Sequence, residues 1–251
     1  MTEGVHISLV AEKVLDVFGF PLTNTLLTSW LVVIVLIVGA YFIGRNVKAM
    51  PAGAQNVAEF VIESFFGFMT TIAGDRKKAE KFFPIVATIF IFVLLANWAG
   101  ILPGVGSIGF YLPGQTGEHG EVFVPFFRSV NSDLNMTLAL ALIAVTLSHF
   151  FGVASLGALR HAGKFFNFRN PIGFFVGILE FISEFAKIVS FSFRLFGNVF
   201  AGEVLLVIIT FLVPYLAPVP FYGLEIFVGF IQALIFAVLT TMFLVVATEH
   251  H

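Results

Sequence analysis

Five blocks of the chain are almost wholly apolar: residues 26–43, 84–102, 134–157, 171–212 and 222–247. A helix needs about 20 such residues to cross a hydrocarbon core. With no water there to satisfy open backbone groups, only helices and closed barrels can span it. The pattern therefore predicts five membrane helices. Block 171–212 would make about 63 Å of helix, roughly twice the core thickness. No Pro, Asn-Gly pair or charge cluster supplies a turn between 174 and 210, so one long, strongly tilted helix is expected. Pro214, Pro218 and Pro220 then turn the chain into the last block.

The segments between the blocks carry their own patterns. Residues 52–73, "AGAQNVAEFVIESFFGFMTTIA", place Glu59 and Glu63 four apart with Phe and Val on other faces. That spacing predicts an amphipathic helix lying on the inner membrane surface or against a partner. Segment 103–131 is rich in Gly and Pro and includes "LPGQTGEHGE", which reads as an exterior loop. "NSDLN" at 131–135 opens the third span, with Ser132 or Asp133 as its N-cap. The first 25 residues hold Glu3, Glu12, Lys13 and Asp16 before any long apolar run. They read as an exterior segment, neither a secretory signal nor an Arg-rich transit peptide. Residues 26–251 read as one membrane domain.

Charge sets the expected orientation. Arg45, Lys48, Arg76, Lys77, Lys78, Lys81, Arg160, Lys164 and Arg169 fall in connections that five spans place on one side, and only Lys13 and Arg128 on the other. Positive charge favours the cytoplasmic side, so the N-terminus is expected outside and "TEHH" inside. Composition agrees with a polytopic membrane protein: 59% of residues are hydrophobic and 11% charged, against about 25% charged in a soluble domain. A net charge of -2 argues against a nucleic-acid partner. The absence of Cys excludes disulfides, thiolate metal sites and iron–sulfur clusters.

The candidate chemistry lies in the polar residues that interrupt the last two blocks. Segment 171–247 holds six charged residues, Glu180, Glu184, Lys187, Arg194, Glu203 and Glu225, together with Asn198 and Gln232. An ionisable group at bilayer depth costs about 2.5–3.5 kcal/mol on insertion scales, so each needs a partner or a task. At about 100° per residue, Lys187 lies ~20°, Glu180 and Asn198 ~40° and Glu184 ~80° from Arg194, whereas Glu203 lies ~180° away. The polar stripe thus changes face near the arginine, as an offset pair of paths would and a through-pore would not. Ser190, Gly197 and Ala201 keep the Arg194 face small enough for close approach by another helix. Glu225 and Gln232 share a face of the last span with Gly229 between them. Structural readings compete at several positions. Glu184 and Lys187, three apart, suit an ion pair; Asp133 suits a plain cap; His149, alone in its span, suits a satisfied interior histidine.

Other function classes find less support. A self-contained proton-coupled secondary transporter is the main alternative, but paired repeats with broken midplane helices are missing. An intramembrane enzyme lacks a G-x-S-x-G elbow and an H-E-x-x-H motif.

The stretch "SFRLFGNVFAGEVLL" at 192–206 resembles the signature of subunit a of the F-type ATP synthase. "PAGAQNVAEFVIE", "LLANWAGILPG", "SDLNMTLALAL" and "FIQALIFAVLT" resemble further family segments in the expected order, across most of residues 40–247. The resemblance implies an all-α polytopic stator subunit without cofactor, metal or catalytic chemistry of its own. Its proton-channel hairpin would be 171–247. Its implied partners are a c-subunit ring, peripheral-stalk b-type subunits and the bilayer of a bacterial plasma membrane, and the implied transported ion is the proton. Arg194 matches the essential arginine that faces the proton-carrying carboxylates of the ring. Glu203 and Glu225 match two interacting positions of the exterior half-channel, and Asn198 and Gln232 match polar neighbours of the arginine. Glu180 matches an acid of the inner half-channel, where Glu184 and Lys187 are placed with it. Several relatives carry one acid and one histidine at the positions of Glu203 and Glu225; two carboxylates here are expected to share a proton.

Overall fold

The computed structural model describes residues 11–17, 19–45, 53–102, 104–117, 120–163 and 171–249. Lys48, Lys164 and Arg169, which enter the charge asymmetry, and the two histidines ending "TEHH" lie outside the described residues. The chain is an all-α polytopic membrane protein with two short hairpins. Strands β1 (Lys13–Val17) and β2 (Phe20–Thr23) precede α1 (Asn24–Arg45), α2 (Ala54–Ala73) and α3 (Arg76–Ala99). Strands β3 (Gly109–Gly117) and β4 (Gly120–Pro125) pair antiparallel, and a 3-10 turn (Val130–Ser132) leads into α4 (Leu134–Leu156). Short α5 (Ala158–Gly163), then α6 (Pro171–Leu212) and α7 (Pro218–Thr248), complete the chain.

Five of these helices, α1, α3, α4, α6 and α7, are long and apolar enough to cross a membrane. Helix α6 runs unbroken for 42 residues, as the lack of an internal breaker requires. Pro218 and Pro220 sit in the first turn of α7 rather than in the turn before it, where a missing N–H costs nothing. Asp133 caps α4: its Oδ1 accepts from the Asn135 N–H at 2.9 Å. Helix α2 ends at Gly74, whose φ of 66° permits the left-handed cap that returns its N–H to Thr70 O at 3.0 Å. The Gly- and Pro-rich 103–131 segment is not the plain loop its composition suggests. The short runs "GFY" and "VFVP" flank its Gly-rich centre, and their open backbones pair with each other as β3 and β4.

The chain divides into two compact units, each assembled from pieces of several helices. Unit 1 comprises Met1–Asn46, Ile91–Met136 and Leu195–Ala233. Its buried polar set includes Asn24, Thr25, Thr28, Asn97, Arg128, Asn131, Asp133 and Gln232. Unit 2 comprises Val47–Phe90, Thr137–Arg194 and Leu234–His251. Its core is apolar and aromatic: Phe65 stacks on Phe90 at 4.5 Å between centroids, Phe82 meets Phe151 at 5.3 Å, and Phe191 lies 4.8 Å from Phe236 and 5.0 Å from Phe243.

Candidate functional site in the polar residues of the membrane helices

Arg194 is the last residue of α6 within unit 2. Its side chain is exposed, and Nη2 donates to Ser190 Oγ, one turn earlier, at 3.2 Å. Ser190 is exposed as well, and so are Gly197, Asn198 and Ala201 further along the helix. A Cβ added to Gly197 would meet nothing within 4 Å. Packing within the chain therefore sets no requirement for glycine there.

Elsewhere in unit 2, α4 and α6 bring three titratable groups together. Glu184 Oε1 accepts from Lys187 Nζ at 2.6 Å, and its Oε2 lies 3.4 Å from His149 Nε2. The i,i+3 spacing on α6 sets the first contact; the second needs α4 alongside. Lys187 also lies 5.0 Å over the Phe243 ring, so its apolar stem and charge are both engaged. His149 is thus the partner of an acid, a pairing its isolation in sequence did not disclose. Glu180 is half-buried, and among the described residues no hydrogen bond or ion pair reaches it.

Unit 1 holds the other acids. Glu203 on α6 is gripped by Arg128, with Nε 3.1 Å from Oε1 and Nη2 3.4 Å from Oε2. Two donors of one guanidinium on both oxygens make a side-on fork. The Arg128 side chain is only 7% exposed. Its backbone N–H donates to Thr28 Oγ1 at 3.2 Å, and Thr25 Oγ1 donates to Asp133 Oδ2 at 3.1 Å. The segment bearing the arginine is thereby tied at both ends to α1. Ser129 Oγ and Asn131 Oδ1, close by in sequence, are buried without a partner among the described residues.

Glu225 on α7 lies against the backbone of Gly202, the residue before Glu203; a Cβ at Gly202 would collide with its carboxyl group. Helix α7 is held in that register by α3. Trp98 Nε1 donates to Ile226 O at 3.1 Å, and Asn97 Nδ2 donates to Gly229 O at 2.9 Å. Asn131 Nδ2 in turn donates to Asn97 Oδ1 at 2.7 Å. A side chain at 229 would crowd this contact, since a Cβ there would come within 3.2 Å of Asn97 Cβ. Gln232 is buried in the same unit, while Asn198 is exposed.

The structure therefore brings the Glu225 carboxyl group against Gly202, the residue before Glu203, and Glu184 to Lys187. It adds Arg128, Asn97 and His149, which sequence reasoning had left out of the site. Arg128 had entered only the charge asymmetry. A sequence signal did exist, because it is the one Lys or Arg between Lys81 and Arg160 and sits in apolar "VPFFRSV".

A sequence model of the family described as ATP synthase A chain matches residues 26–245. The chain is similar to an "ATP synthase subunit a" of Campylobacter jejuni (strain 81-176), with 34% identity over 221 residues, 87% of each chain. It is similar also to an "ATP synthase subunit a" of Moorella thermoacetica, with 31% identity over 224 residues, 89% of this chain and 90% of that one.

Proposed function

Since the chain belongs to the ATP synthase subunit a family, we propose that it is the proton-carrying stator of the membrane sector and that Arg194 is its coupling charge. The supporting observation is the exposure of Arg194 on a strip of small side chains within a 42-residue apolar helix. A cation at bilayer depth costs about 2.5–3.5 kcal/mol on insertion scales, and an exposed one is within reach of a neighbouring subunit. The open space at Gly197 leaves room for close approach by a neighbouring helix.

The chemistry follows from charge. A rotor carboxylate crossing lipid must be neutral. Facing Arg194 it meets a guanidinium that never gives up its proton, and the cation favours the carboxylate form. The proton leaves along the inner path, by Glu180 and the Glu184–Lys187 pair. The ionised site dwells beside Arg194, moves on, and is reprotonated from the Glu203 and Glu225 side, near which Asn198 and Gln232 act as polar neighbours. Because Arg194 delivers no proton itself, it also separates the two paths. Each proton falling through 100 mV supplies about 2.3 kcal/mol, so several must be counted into rotation for one ATP.

The supposed partners are a c-subunit ring against the Arg194 strip and b-type subunits of the peripheral stalk. The nucleotide chemistry lies on other subunits. The charge asymmetry supports an exterior N-terminus and a cytoplasmic C-terminus in a bacterial plasma membrane. The test is ATP-driven proton pumping by the whole synthase in inverted vesicles. Arg194→Ala should abolish it while the complex still assembles, and Arg194→Lys should fail too, because a buried ammonium can lose its proton. Pumping at the wild-type rate by Arg194→Ala would end this reading.

A further inference from the structure

Resting on the stator reading above, we propose that Arg128 is a positioning residue of the exterior proton path. By fixing Glu203 in an ion pair, it leaves Glu225 as the carboxylate that takes up the proton and passes it on.

Two acids, one with its carboxyl group against the residue before the other, could share the work, but the structure treats them differently. Both oxygens of Glu203 face one guanidinium, at 3.1 and 3.4 Å. That guanidinium is almost fully buried, and its backbone N–H is anchored on Thr28. The Glu203 side chain, 32% exposed, thus has both oxygens committed to Arg128. Glu225 is half-buried, and among the described residues no hydrogen bond or ion pair reaches it. Its carboxyl group lies over Gly202, where the missing side chain leaves room, and α7 is pinned one residue and four residues on by Trp98 and Asn97. It is held in place by its helix, and no donor among the described residues engages its oxygens.

Two further acids among the described residues of this unit are engaged elsewhere. Asp133 is committed to Thr25 Oγ1 and the Asn135 N–H. Glu12 accepts from Asn24 Nδ2 at 3.4 Å. Among the described residues, the groups that α1 and α3 contribute to these hydrogen bonds are neutral: Thr25, Thr28, Asn97 and Trp98. The step balances without further reactants. Glu225 takes a proton from exterior water to become the neutral acid, then yields it to the rotor carboxylate and regains its charge.

The experiment uses the whole synthase in vesicles and follows ATP-driven pumping together with the yield of intact complex. Arg128→Gln should lower pumping by roughly tenfold or more, because Glu203, released from the fork, now competes for protons. Arg128→Lys should fall between wild type and Arg128→Gln, since a point charge replaces the fork. Adding Glu203→Gln to Arg128→Gln should restore most of the lost pumping, which loss of packing alone would not allow. Glu225→Gln should reduce pumping about a hundredfold or more in either background. A double variant no better than Arg128→Gln, in yield or in pumping, overturns the assignment. So does Glu225→Gln pumping normally while Glu203→Gln does not. Arg194→Ala run alongside separates the two failures: if it pumps, the stator reading falls, and if it is dead while Glu225→Gln pumps, only the present assignment falls.

Discussion

The two units of this chain bury polar groups in opposite ways. In unit 2 the buried polar residues among those described are all hydroxyls: Thr137, Ser148, Ser192, Thr240 and Thr241. Thr240 and Thr241 return their hydrogens to carbonyls one turn back, at 2.7 and 2.9 Å, and Thr137 pairs with Ser192 at 3.2 Å. Apart from the Thr137–Ser192 pair, these contacts close within one helical turn. Unit 1 instead buries amides and charges, among them Asn97, Arg128, Asn131, Asp133 and Gln232. Several are satisfied only across long stretches of sequence, as where Asn97 reaches Gly229 and Arg128 reaches Glu203. In a medium without water, a polar group that can be satisfied locally is cheap, and one that needs a remote partner is kept for a reason. Unit 2 is therefore held chiefly by packing, and its charged groups lie outside its core. Unit 1 carries polar machinery in its core.

Substitutions can break or sharpen this contrast. The largest stability effect should come from the aromatic core of unit 2, where Phe191 lies on Phe236 and Phe243. Phe191→Ala should cost about 3–5 kcal/mol, seen as earlier loss of the intact complex in an SDS titration. Pumping per surviving complex should change little. Next comes Asn97→Leu in unit 1, which leaves the Asn131 amide without its acceptor and releases α7 at Gly229. A loss of about 1–3 kcal/mol is expected, with a clear fall in pumping per complex because Glu225 is no longer held in register. The smallest effect belongs to Thr240→Val, expected within about 0.5 kcal/mol by the same titration, since its helix carbonyl keeps its own N–H partner. If Asn97→Leu proved as mild as Thr240→Val in both readouts, the contrast between the units would vanish.

Much of the candidate site was legible before any fold was known. The long apolar block with its lone Arg194, the change of face at Glu203 and the Glu225–Gln232 spacing all follow from counting residues along a helix. The Glu184–Lys187 pair was readable too, because three residues apart on a helix means adjacent. Arg128 reads as a charge that sets orientation; its place in apolar "VPFFRSV" is a signal, but nothing local names Glu203 as its partner. His149 reads as a satisfied interior histidine; its side chain is 34% exposed, and its acid could not be named from sequence.

The sequence by itself determined where the chain is helical. Lipid offers the backbone no partners, so every long apolar block must satisfy its own N–H and C=O groups within a few residues, and α1, α3, α4, α6 and α7 obey. Even the start of α4 was written locally, in Asp133. The tertiary structure alone decided which side chain answers which. Arg128 and Glu203 are 75 positions apart and Asn97 and Gly229 are 132, distances over which no helical or strand period carries information. The pairing of β3 with β4 was likewise settled by two open backbones meeting. Backbone needs are met nearby and so show in the pattern of residues, whereas a buried charge or amide takes its partner wherever the fold delivers one.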